Sequence, residues 1–83
     1  MDVRDEIRQF ISAELMHRGM DATVDNTDSL VERCILDSLG LLRVLGFLES
    51  EYRMTVRDDD VIPENFESVN AIAAFVERYR HKG

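Results

Sequence analysis

Cysteine, proline and tryptophan are nearly missing from this 83-residue chain, which has one Cys, one Pro and no Trp. The single cysteine, Cys34, cannot build a disulfide framework or a Cys-based zinc site within one chain, and it fits a reduced, cytoplasmic setting. Histidine is scarce too: His17 and His81 have no second His or Cys at ligand spacing, so no metal site is expected. Basic residues are outnumbered, 10 Lys and Arg against 17 Asp and Glu, which leaves a net charge of −7. Phosphate repels such a surface, so nucleic acid is excluded and basic proteins suit it better. Long apolar runs are absent, so no membrane insertion is expected, and the opening "MDVRDEIRQF" lacks the continuous apolar stretch of a signal peptide. No Val/Ile/Thr-rich alternating run competes for strand, and the chain is expected to be all-α.

What remains is an ordinary globular balance, 45% hydrophobic and 33% charged. One domain spanning 1–83 is expected, burying only about 60–65% of its unfolded surface. Val3, Ile7, Phe10, Ile11 and Leu15 recur at helical spacing and predict a first helix over roughly 2–18. Asp2 suits its N-cap and Gly19 its end, with His17 and Arg18 in the last turn. "MDATVDNTDSLVERCI" reads as a long loop, pinned to the core by Val24, Leu30, Val31 and Ile35. A second helix starts at or near Ser38 and runs to about Arg53, burying Leu41, Val44, Leu45, Leu48 and Tyr52. Gly40 and Gly46 are either tolerated helical glycines or places of close approach. After it, "VRDDDVIPENFES" reads as a loop ending in a short helix that opens at Pro63 and is anchored by Phe66. The last helix spans roughly Ser68 to Arg80, capped by Ser68. Val69, Ile72, Ala73, Val76 and Tyr79 form its inner stripe, with Phe75 at the margin.

Few side chains invite chemistry. Asp58 to Asp60 lack the alternating acids, Gly and distal Glu of a calcium loop, so a solvated acidic loop is the plainer reading. Cys34 precedes a positively polarised helix end, which favours a thiolate, but no base is placed for it and a small buried hydrophobe suits it better. A domain this small has little volume for a pocket, so catalysis of its own is not expected. Ser38 is different. It can act as a helix cap, although Leu41 rules out a capping box and Asp37 can cap in its place. It also stands where backbone N–H groups and the helix dipole stabilise an anion, so a phosphodiester on Ser38 would be well placed.

"ILDSLG" opening the second helix, the long loop before it, the short third helix and "ESVNAIAAFV" in the last helix resemble the acyl and peptidyl carrier protein family, in that family's order and over nearly the whole chain. The resemblance implies a four-helix bundle of three long helices and one short third helix, with a long loop between the first and second. It implies that Ser38 carries 4′-phosphopantetheine from coenzyme A, that Asp37 helps a phosphopantetheinyl transferase position that serine, and that Leu39 meets partner enzymes. Cys34 stands where the family usually has Gly. No acid lies between Ser38 and Leu48, whereas fatty-acid carriers grip basic partners through acids there. "LVERCILDSLG" and "IPENFESVNAIAAFV" are closer to D-alanyl and stand-alone aminoacyl carriers. Recognition through Leu39, Leu42, Arg43 and Phe47 would then be more apolar than acidic.

The function this implies is a discrete, non-catalytic carrier holding an activated amino acid as a thioester. An adenylating ligase would load it and a downstream transferase would unload it. The alternatives are a specialised carrier for a fatty or polyketide acyl chain and, from another class, an unmodified helical adaptor.

Overall fold

The computed structural model describes residues 2–20, 23–33 and 37–82. Four α-helices follow in order: α1 (Val3–His17), α2 (Ser38–Tyr52), α3 (Pro63–Phe66) and α4 (Val69–Lys82), with one 3₁₀ turn at Asp58–Asp60. No strand occurs among the described residues, so the all-α expectation and the long–long–short–long order hold.

Each helix forms where its sequence supplies both a face and an end. Asp2 caps α1, its carboxylate accepting from the Arg4 N–H at 3.3 Å. Asp5 then pairs with Arg8 one turn on at 2.7 Å. At the other end the Met20 N–H donates to the Leu15 carbonyl at 2.8 Å and the Gly19 N–H to that of Met16 at 3.0 Å. These two bonds form a Schellman stop, with Gly19 at φ +74°, a left-handed value that glycine adopts without steric cost. Between the two ends, Val3, Ile7, Ile11 and Leu15 line up as one buried stripe. Ser68 caps α4 as expected, accepting from the Ala71 N–H at 3.1 Å.

The core joins that stripe to Val44 and Leu48 of α2, Phe66 of α3 and Val69, Ile72, Ala73, Phe75 and Val76 of α4. Two residues of α4 differ from expectation. Phe75 is buried, because α3 crosses that flank and sets Phe66 against it, ring centroids 5.6 Å apart. Tyr79 is exposed at 36%, beyond the end of the core, where its hydroxyl accepts from the Thr55 N–H at 3.2 Å. Asn65 is buried and satisfied: it donates to the Asp60 carbonyl and accepts from Arg78, both at 2.7 Å. That bond ties Arg78 of α4 to α3. The acidic stretch at Asp58–Asp60, expected as plain loop, winds into the 3₁₀ turn that presents this carbonyl.

The long loop is anchored by Val24 and Leu30, as expected. Its backbone ties run to the α3–α4 corner: the Leu30 N–H donates to the Glu67 carbonyl at 2.9 Å and the Asn70 N–H to that of Asn26 at 3.0 Å. Val31, expected as a third anchor, is 55% exposed. It follows Leu30 inside a tight turn, where neighbouring side chains diverge. Ile35, the fourth expected anchor, and Cys34 lie outside the described residues.

Along the seam between α1 and α2, three residues of α1 and its C-cap Arg18, at helical spacing, meet α2 and its N-cap Asp37 in antiparallel order. Glu6 accepts from the Tyr52 hydroxyl at 3.2 Å. Phe10 stacks on Phe47 with centroids 4.3 Å apart. Glu14 pairs with Arg43 at 3.4 Å, and Arg18 with Asp37 at 3.1 Å. Residues four apart lie on one helix face, so a single edge of α1 makes every rung.

Candidate functional site

The candidate site is the start of α2. Asp37 has extended backbone, φ −75° and ψ −177°, and its Oδ1 accepts from the Gly40 N–H at 2.7 Å. The Leu41 N–H donates to the Asp37 carbonyl at 2.8 Å, closing the first helical turn. Asp37 is therefore the N-cap and Ser38 the first helical residue, which decides between the two capping readings in favour of Asp37.

The Asp37 carboxylate has a second partner. Arg18, the C-cap residue of α1, brings Nη2 to Oδ1 at 3.1 Å and Nη1 to Oδ2 at 3.4 Å. The Gly40 N–H first, and then the Arg18 guanidinium, hold the Asp37 carboxyl below its ordinary value. Asp37 is 54% exposed, whereas the Arg18 side chain is 21% exposed, laid beside Phe10, Ile11, Glu14, Leu15, Gly40 and Val44. These residues enclose only about 10 Å³, room for one water. Gly40 is buried at this crossing. Gly46 is exposed, and among the described residues nothing stands where a side chain's Cβ would be, so none of them requires glycine there.

The four residues expected to meet partners separate into two pairs. Leu39 and Leu42 stand out from α2, 54% and 65% exposed. Arg43 is half-exposed and paired to Glu14. Phe47, expected off the buried stripe, is half-buried in the seam, stacked on Phe10 and edge-on to Tyr52 at 6.0 Å. It turns inward because the α1 edge offers Phe10 at the matching rung. Burial, then the bond to the Glu6 carboxylate, raises the Tyr52 phenol above its ordinary value, so the hydroxyl stays protonated as donor. On another flank of α2, Leu41 joins Val31, Val61, Ile62, Pro63 and Phe66 around an open apolar groove of about 240 Å³.

Arg18 is the residue that sequence reasoning missed. The sequence places it only in the last turn of the first helix; 19 residues separate it from Asp37, and no local pattern links them. Among the described residues no group of three or more His, Cys, Asp or Glu is placed to hold a metal ion, and no helix is long and apolar enough to cross a membrane.

No family model matches the sequence, and no curated protein does. Solved structures do. In the crystal structure of Bradyrhizobium japonicum glycine:carrier-protein ligase complexed with its cognate carrier protein and an analogue of glycyl adenylate, one chain is 27% identical with a TM-score of 0.70. The match covers 99% of this chain and 100% of that one. In the structure of the same ligase with glycylated carrier protein, the identity is again 27% and the TM-score 0.71, over 88% of this chain and 97% of the other. Chains matched end to end by 83 residues are the small partners of those complexes rather than the ligase.

Proposed function

We propose that this chain, which has the fold and helix order of the stand-alone carrier proteins, is a discrete amino-acid carrier. The observation that carries the proposal is the end-to-end likeness to carrier chains of a glycine ligase complex. In this reading residues 1–83 form one carrier domain that works in the cytoplasm. It is the protein substrate of an adenylating ligase, and glycine is the first cargo to test.

Ser38 is the attachment residue in this reading. The fit of 4′-phosphopantetheine rests on the local structure. Ser38 opens a 15-residue helix, whose positive end suits a phosphodiester. Its neighbour Leu39 is exposed, so the turn is open to a transferase. When attached, the group supplies the thiol that holds the cargo as a thioester. The chain's own part is to present the Ser38 hydroxyl to coenzyme A on the transferase. There the Ser38 oxygen would bond to the β-phosphorus while the pyrophosphate bond to the leaving adenosine 3′,5′-bisphosphate breaks, and the serine proton would pass to a base of the transferase. Asp37 fixes the start of the helix, and Leu39 and Leu42 offer an apolar face to the ligase.

The open groove beside Leu41 supports a second reading, a carrier for a fatty or polyketide acyl chain laid along it. The enclosed space at the α1–α2 crossing, about 10 Å³, admits no such chain, and amino-acid cargo remains the first reading.

Intact-mass measurement after incubation with coenzyme A and a broad-specificity transferase tests the attachment. One phosphopantetheine group is expected on the wild type and none on Ser38→Ala. A wild type that gains no mass supports the unmodified adaptor instead. Glycine and a panel of acyl donors, each with its ligase, then separate the two carrier readings.

A further inference from the structure

We propose that Arg18 is a positioning residue for prosthetic-group attachment, holding the Asp37 carboxylate in the cap that sets Ser38 in the first turn of α2. The inference rests on the carrier reading. Its geometry is a three-part clamp. Asp37 Oδ1 accepts from both the Gly40 N–H and Arg18 Nη2, and Oδ2 accepts from Arg18 Nη1. A planar guanidinium offering two N–H groups fixes both the place and the plane of a carboxylate. The carboxylate is half-exposed, so without that fork water competes for it. Arg18 is itself held, its stem packed at the α1–α2 crossing and its backbone fixed by the Schellman stop.

Charge gives a second reason for the contact. A phosphodiester on Ser38 places a new negative charge next to Asp37. Like charges one residue apart oppose attachment unless a cation stands beside them. Among the described residues, the charged side chains of α1, α2 and their caps that pair across this crossing are Glu14 with Arg43 and Arg18 with Asp37. Arg43 is engaged with Glu14, so Arg18 is the cation that faces Asp37.

The test is steady-state loading of the apo-protein by one transferase, comparing wild type, Arg18→Ala, Arg18→Lys and Tyr52→Phe. Tyr52→Phe removes the Glu6 bond at the far end of the same seam and controls for general loosening. The Arg18 side chain is mostly covered, so a transferase has little of it to touch and the loss belongs in kcat rather than KM. Arg18→Ala is expected to lower kcat by a few-fold, the size associated with one exposed charge pair. Arg18→Lys, which keeps the charge without the fork, should recover only part of it, and Tyr52→Phe should load as wild type. Titration of the Asp37 carboxyl by NMR gives an independent readout: in Arg18→Ala its midpoint should rise toward the ordinary value, with faster exchange of the Gly40 amide. Unchanged kcat in Arg18→Ala while the wild type loads overturns this inference alone. So does an equal loss in Tyr52→Phe, or a rise confined to KM. A wild type that takes up no group overturns the carrier reading, and this inference with it.

Discussion

Asp37 does two tasks, one of which the sequence left open between Asp37 and Ser38 and the other of which the sequence did not disclose. It caps α2, and it pairs with Arg18 across the helix seam. Asp37, not Ser38, is the cap, so on the carrier reading Ser38→Ala should remove attachment and leave the thermal midpoint nearly unchanged. Asp37 should carry a pH dependence of its own. Its folded carboxyl titrates below its ordinary 3.8, so the folded state binds fewer protons than the unfolded one. Its contribution is therefore complete above 3.8 and is lost as pH falls through the lower folded value. Asp37→Asn keeps an acceptor for the Gly40 N–H but gives up the charge pair. Urea melts of both proteins should show a stability gap at neutral pH that closes below pH 3.8. A gap that persists into strong acid would mean that the charge is not what the folded state uses.

Among the elements, the loop and α2 show how differently two exposed-looking stretches are held. Leu30 is fully buried although most of its neighbours in sequence are polar. Leu30→Ala should cost about 2–5 kcal/mol in a denaturant titration, the range for a buried leucine that leaves a cavity. A loss near zero would mean that Val24 and the two backbone ties hold the loop unaided. In α2, Gly46 is exposed with open space around its Cα. Gly46→Ala should raise stability by about 1 kcal/mol, the helix-propensity difference, with no clash to offset it. If the ligase nonetheless loads Gly46→Ala more slowly than wild type, the glycine serves approach by the partner and not the fold. In the seam, a double-mutant cycle on Phe10 and Phe47 should return a coupling of about 0.5–1.5 kcal/mol, as expected for a stacked pair.

Taken whole, the molecule has a Cα radius of gyration of 11.9 Å, close to the roughly 12 Å of a compact chain of this length. Its helices fill their own interior, so what it offers other proteins lies on its surface. The charges of α2 near Ser38 are compensated by α1: Asp37 by Arg18 and Arg43 by Glu14. Leu39 and Leu42 are left as its uncompensated feature among the expected partner residues. On the carrier reading, recognition by a ligase should therefore be weakly salt-dependent and sensitive to apolar truncation. Aminoacylation of the holo-protein across a salt series should slow more for Leu42→Ala than for Arg43→Ala. Arg43→Glu should not improve on wild type, since it also sets an acid against Glu14. Faster loading of Arg43→Glu, or loss of loading with salt alone, would point to acidic-patch recognition and toward the fatty-acid type of carrier. Phe47→Ala does not test that surface cleanly, because its ring belongs to the seam.

Local rules decided most of the architecture. Helical spacing placed α1, α2 and α4 to within two residues, and Asp2, Ser68, Gly19 and Pro63 marked ends through backbone chemistry that acts over one turn. The order of those elements, with Asp37-Ser38-Leu39 at the head of the second long helix, was legible for the same reason. What the sequence did not disclose lies in contacts between residues far apart in the chain. Phe75 was buried by a four-residue helix crossing it, and Phe47 was drawn inward by Phe10, 37 positions earlier. Asp37 found Arg18 because the end of α1 happens to meet the start of α2. Periodicity tells a side chain which face of its own helix it occupies. Only the packing of one helix on another determines what that face will touch.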